Sequence, residues 1–140
     1  MIILDTNVIS EFTKPMVSER VATWFAARDP LELATTCITE AELLVGIALL
    51  PAGRRKTDLA RETIGLLQGF GSRIFSFDRE AAQQLPAIML QRRAARLPID
   101  HADGQIAAIA RLHGAPIATR NVDDFKHAGI ELINPWTERP

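Results

Sequence analysis

An α/β fold, with a central parallel sheet covered by helices on both faces, is what this sequence predicts. Three observations lead there. Short apolar or β-branched runs alternate along the chain with longer stretches whose apolar residues recur at helical spacing. Proline and glycine separate the two kinds of segment at Pro15, Pro51, Gly53, Gly71, Pro98, Gly114 and Gly129. The length of 140 residues, 47% of them hydrophobic, suits one domain, residues 1–140, with a substantial core. Alternating strands and helices of this kind stack into a three-layer sandwich.

The elements follow in order. Ile2–Leu4 reads as a short buried strand, and residues 8–12 as a helix broken by Pro15. Ser18 can cap the next helix, in which Val21, Trp24 and Phe25 share a face. Residues 31–38, LELATTCI, are rich in apolar and β-branched residues and read as the second strand. A helix beginning at Thr39 runs to the stop at Pro51, Ala52 and Gly53. Arg54–Phe70 is amphipathic with a basic first turn, and Gly71 closes it. Residues 73–77 alternate as a third strand, and Asp78 caps a helix reaching about Arg96. After Pro98, Asp100 starts another helix, stopped by Gly114. The strand Ile117 to Thr119, a helical turn from Val122 to His127 and the strand IELIN complete the chain. The residues after Trp136 read as a loose tail.

Several function classes are excluded. The net charge of -1 marks no general nucleic-acid binder, so any such contact must come from local patches. Cys37 is the only cysteine, which forbids an intrachain disulfide and agrees with a reducing, cytoplasmic setting. It reads as a mid-strand core residue. No signal peptide is apparent, and the longest apolar run, residues 43–52, is too short to span a bilayer. There is no P-loop, no nucleophile elbow around Ser10 or Ser18, and GFGSR precedes a strand instead of opening a helix. His101, His113 and His127 have no metal-ligand spacing and read as surface or interface residues.

The acids are different. Asp5 closes strand one, Glu42 follows strand two, Asp103 lies in the turn after Asp100, and Asp123 and Asp124 follow Asn121. In an open parallel sheet, ligands gather at the carboxyl ends of the strands. One explanation is capping: T-x-x-E, D-x-x-D and N-x-x-D all match helix N-termini. It fits Asp5 less well, and the two roles are compatible. The other is a site for a hard cation, Mg²⁺ or Mn²⁺, which carboxylates without His or Cys select. Such an ion activates water and stabilises an in-line displacement at phosphate. Thr6 and Asn7 would then order water or bind phosphate beside Asp5.

ILDTNVIS, ITEAELLVGI, DHADGQIAAIA and IATRNVDDF…GIELINPW together resemble the PIN-domain ribonucleases, and more narrowly the VapC-type toxins of the FitB-like branch. The resemblance covers nearly the whole chain. It implies a PIN-like three-layer sandwich and a Mg²⁺- or Mn²⁺-dependent endoribonuclease acting on RNA. It also implies a cognate VapB-like antitoxin whose tail occupies the cleft, a homodimer, and a higher-order complex with antitoxin on operator DNA. By position it makes Asp5, Glu42 and Asp103 the central acids. At the fourth position the chain has Asn121, with Asp124 just before Phe125; Asp124 is expected to serve as ligand, Asp123 to face solvent, and Asn121 to order water.

The surface leaves alternatives. Arg54, Arg55, Lys56 and Arg61 form one basic patch, and Arg92, Arg93 and Arg96 another. They are either solvated helix faces or phosphate contacts flanking an acidic cleft. The apolar ELLVGIALL helix is either wholly buried or offers its outer face to a partner helix. A non-catalytic protein that binds an antitoxin and assists its repression of DNA is the alternative to the nuclease.

Overall fold

A computed structural model describes residues 1–138. Five parallel strands form one sheet in the order β3-β2-β1-β4-β5. They are β1 (Ile2–Leu4), β2 (Leu33–Thr36), β3 (Ile74–Phe75), β4 (Ile117–Ala118) and β5 (Leu132–Ile133). The helices are α1 (Thr6–Glu11), α2 (Glu19–Ala26), α3 (Cys37–Ala48), α4 (Arg54–Phe70), α5 (Arg79–Ala94), α6 (His101–Leu112) and α7 (Val122–Phe125).

The strand period of two builds the layers. Ile3, Ala34 and Ile117 point into a core completed by Ile88 of α5, Ile106 and Ile109 of α6, and Phe125 of α7. Their neighbours Leu4, Leu33 and Ala118 point the other way, against Val8, Trp24, Leu43, Leu67 and Phe70 from α1 to α4. The sheet is therefore the middle layer of three, as expected for strands buried on both faces.

The second strand is shorter than the sequence predicts. Pro30–Glu32 form a turn of 3₁₀ helix, and β2 ends at Thr36, whose side chain accepts from the Thr39 N–H at 3.1 Å and caps α3. Capping chemistry outweighs the β-branched composition here. Cys37 is consequently the first residue of α3 and half-buried, not a mid-strand core residue. Glu42 moves from the first helical turn to the second. Arg54–Phe70 falls where its flanking glycines place it, with Gly71 at φ 54° ending the helix.

Three surface expectations change. α3 buries Leu43 and Ile47 but exposes Leu44 and Val45, and Leu49 at its C-cap, so the helix is not wholly buried. Arg92 is buried and bonded to backbone carbonyls, so it does not belong to a solvated basic face. In the other patch, Lys56 donates to Ala48 O and Arg61 pairs with Asp58, while Arg54 and Arg55 are exposed. Thr137 and Glu138 are not loose: both N–H groups donate to Asn134 O, and Trp24 Nε1 donates to the Glu138 carboxylate at 2.8 Å. The rest of that stretch, residues 139–140, lies outside the described residues. No helix among the described residues is long and apolar enough to cross a membrane.

Candidate metal centre

β1 and β4 are neighbours, so their carboxyl ends lie side by side. Asp5 leaves β1 with its N–H donating to Ala118 O at 3.0 Å. Its side chain caps α1: Oδ1 accepts from Thr6 N at 2.8 Å. Oδ2 accepts from Asn7 Nδ2 at 2.9 Å and from the Thr119 hydroxyl at 2.7 Å. Capping thus accounts for Asp5 after all, without accounting for the rest of its network. Thr119 Oγ1 also accepts from Asn7 Nδ2 and from Asn121 N, and Asn7 Oδ1 accepts from Arg120 N. The Asn7 amide is therefore spent on internal bonds, and it orients Asp5 and the 119–121 turn. Asp5 is 5% exposed, and burial raises its carboxyl above the ordinary range despite three hydrogen bonds; the charge of Asp124 adds to the rise.

Three more elements bring acids to this place. Glu42, on α3, is raised first by burial and then by the charges of Asp5 and Asp100. Thr6 Oγ1 sits near the Glu42 carboxyl and lowers it slightly, yet that hydroxyl is buried and completes no hydrogen bond. Asp100 caps α6 by accepting from Asp103 N at 2.8 Å. Asp103, in the first turn, is pushed up to about 7, by burial first and then by the charges of Asp100, Asp5, Asp124 and Glu42. Asp100, Asp103 and Asp124 line an open cavity of about 410 Å³ with Arg92, Pro98 and Ile99.

Asn121 occupies the cap position of α7 without a side-chain bond. Asp123 and Asp124 are both exposed; Asp124, three residues on, acts electrostatically on Asp5 and Asp103, whereas Asp123 is ion-paired with Lys126, which holds its carboxyl below the usual range. The two residues lie about 100° apart around the helix.

Asp100 was legible as a cap and as one of the acids at the carboxyl edge of the sheet, though not as a ligand. One member was not foreseen from sequence. Thr119 was legible only as the end of a strand, because its meeting with Asp5 depends on the pairing of β1 with β4.

The donor chemistry fits a hard divalent cation. The acidic side chains of the cluster offer oxygen without a His or Cys among them, and none of the ion pairs among the described residues involves Asp5, Glu42, Asp100, Asp103 or Asp124. Repulsion between these carboxylates is relieved either by protons or by a cation. Among the described residues no three acid, His or Cys side chains close tightly around one point. A Mg²⁺ ion keeps several of its waters, so carboxylates that do not close on one point would reach it in part through them.

Comparison with known proteins identifies the family. Residues 2–131 match the PIN domain family model. The chain is 40% identical over 137 residues to VapC ribonuclease Y4jK of Sinorhizobium fredii, covering 97% of this chain and 98% of that protein. It is 39% identical over 137 residues to toxin FitB of Neisseria gonorrhoeae, covering 97% and 99%. The structure of FitAB bound to an IR36 DNA fragment superposes with a TM-score of 0.93 at 37% identity, covering 100% of this chain and 99% of that one. By fold and by sequence over almost its whole length, the chain belongs to the PIN-domain family, within the VapC and FitB toxin group.

Proposed function

We propose that the chain is the toxin of a VapBC-type toxin–antitoxin pair, an endoribonuclease that hydrolyses RNA phosphodiester bonds with Mg²⁺ or Mn²⁺. The observation that carries this reading is the convergence of five carboxylates from four segments with no described ion pair to neutralise them. Asp5, Glu42, Asp103 and Asp124 would hold the ion, which when bound supplies a Lewis acid and lowers the pKa of water. The remaining chemistry belongs to the chain. Thr6 N, Asn7 and Thr119 fix both oxygens of Asp5, so it needs no reorganisation to act as a ligand. In the metal-free chain the Asp103 carboxyl, pushed up to about 7, holds a proton near neutrality that it would release to a bound cation. The Asn121 side chain, free of described hydrogen bonds, is available to order water. Arg54 and Arg55 are exposed and available to RNA phosphates.

The same reading includes partners. The exposed Leu44 and Val45 on α3, Leu49 at its C-cap, and Met89 and Leu90 on α5 offer apolar surface suited to a second copy of the chain. An apolar cavity of about 250 Å³ between α1, α2 and α4, lined by Ile9, Phe12, Phe25 and Leu66, suits side chains of a VapB-like antitoxin. We place the protein in the cytoplasm as a single domain. The DNA-bound FitAB relative favours a second role, in which a complex of the chain with its antitoxin sits on operator DNA.

The test is RNA cleavage by the purified chain freed of antitoxin. Cleavage is expected with Mg²⁺ or Mn²⁺, none with EDTA, and none from Asp103→Asn. Co-expression of the antitoxin should restore growth to cells that the chain alone inhibits. A folded, metal-loaded chain that cleaves no RNA, yet tightens the antitoxin's hold on DNA, would establish the non-catalytic reading instead.

A further inference from the structure

Arg92, on α5, is 4% exposed and makes no ion pair among the described residues. A buried guanidinium is costly unless its donors are satisfied. Here Nη1 and Nη2 are satisfied by three backbone carbonyls, while Nε is buried without a partner among the described residues. Nη1 donates to Asp123 O at 3.0 Å and to Lys126 O at 2.7 Å, and Nη2 donates to Pro98 O at 2.9 Å. The location of these carbonyls is informative. Pro98 lies two residues before Asp100, the cap of the helix that carries Asp103. Asp123 and Lys126 bracket Asp124.

Neither segment holds itself in place. α7 has four residues, far below the length at which a helix is stable alone, and its cap residue contributes no side-chain bond. Val122 O and Phe125 O accept from Lys126 N and Ala128 N, whereas Asp123 O and Lys126 O take their donor from Arg92. The chain before α6 turns sharply at Arg96, φ 57°, where Leu97 N donates to Arg92 O at 2.9 Å in the manner of a Schellman cap. Arg92 therefore grips the 97–99 segment through both its backbone and its side chain. A planar fork can serve two segments from two separate nitrogens, whereas a lysine ammonium gathers its three donors on one compact nitrogen.

We propose that Arg92 is a positioning residue of the acidic site. It ties the approach to α6 and the end of α7 to one guanidinium, so that Asp103 and Asp124 face the same cavity. By doing so it sets the affinity for the divalent cation. This rests on the metal site proposed above. It acts through geometry: Arg92 is absent from the charges that shift Asp103 or Asp5.

The test is a double-mutant cycle on Mn²⁺ binding, measured by calorimetry on the purified chain, for wild type, Arg92→Lys, Asp124→Asn and the double variant. Circular dichroism at the same temperature establishes that each is folded. Arg92→Lys keeps the charge and loses the fork, and it is expected to weaken Mn²⁺ binding about tenfold, as loss of an outer support does at metal sites. The double variant is expected to lose clearly less than the product of the two single losses. Unchanged Mn²⁺ affinity in folded Arg92→Lys, or losses that multiply fully, would show that Arg92 only stabilises the fold and would overturn the proposal. Absence of Mn²⁺ binding by wild type would overturn it too. Should Arg92→Lys fail to fold, Lys126→Pro replaces it in the cycle: it removes the bond from Lys126 N to Val122 O and disfavours helix at Phe125, loosening α7 with Arg92 intact. RNA cleavage recorded in parallel separates the two readings. Wild type that binds Mn²⁺ but cleaves no RNA refutes the nuclease, while the cycle still decides the role of Arg92.

Discussion

Asp103→Asn should change how the metal-free protein responds to pH, and the sign follows from the cluster. In the folded chain the Asp103 carboxyl is pushed from its ordinary 3.8 up to about 7 by burial and by four neighbouring acids. Between those values the folded state keeps a proton that the unfolded state has released. Stability contributed by this group is therefore complete below about pH 4 and is lost as pH rises to about 7. The full shift would be worth about 4 kcal/mol at 1.36 kcal/mol per pH unit. Asp103 is only half-buried, and solvent screening reduces that to about 1–2 kcal/mol. Asparagine carries no charge at any pH and escapes this loss. With EDTA present, wild type and Asp103→Asn should be similarly stable at about pH 4. At pH 8 the variant should be more stable by about 1–2 kcal/mol, or about 4–8 °C in Tm. Added Mn²⁺ should raise the Tm of wild type at pH 8 and do far less for the variant, because only a state that binds the ion gains from it. Urea and thermal unfolding at the two pH values measure this. Parallel pH profiles for the two proteins, or a variant less stable at pH 8, would refute the argument that the acids repel one another in the folded chain.

Asp5→Asn should abolish metal-dependent cleavage and also destabilise the fold by about 1–3 kcal/mol, since an amide donor would face the donors Asn7 Nδ2 and Thr119 Oγ1; urea unfolding reads the second effect. Thr119→Val removes the hydroxyl shared by Asp5, Asn7 and Asn121, and should cost about 1–2 kcal/mol and weaken Mn²⁺ binding in calorimetry. Asp124→Asn should raise the Mg²⁺ concentration needed for half-maximal cleavage, while Asp123→Asn, altering an exposed pair with Lys126, should leave it unchanged. Equal metal titrations for these last two variants would remove Asp124 from the site.

Much of the layering was legible because it is local. Arg54–Phe70 reads as a helix from its own amphipathic period and its flanking glycines, and the structure returns those bounds. Asp78 and Asp100 read as caps, and both accept from the N–H three residues on. The misreadings arose where two local signals competed. TTCI is β-branched enough for a strand, yet Thr36 captures the Thr39 N–H and turns Cys37 and Ile38 into helix. Arg92 resembles its neighbours Arg93 and Arg96 along the chain, and nothing in that run shows that its face of α5 is the buried one.

By itself the sequence determined that this is an α/β protein with a covered parallel sheet, and that its acids follow strands or open helices. Periodicity, capping and breaker residues are properties of a few consecutive residues, so they survive without tertiary context. Only the tertiary structure decided which strands are neighbours. With β4 beside β1, the hydroxyl of Thr119 meets Asp5 across 114 positions of sequence, and Asp124 comes within electrostatic reach of Asp103. It also decided that Arg92 points inward to grip both segments that carry those acids. Such contacts pair residues far apart in the chain, and their energies depend on burial and on the sum of surrounding charges, neither of which exists until the layers have packed.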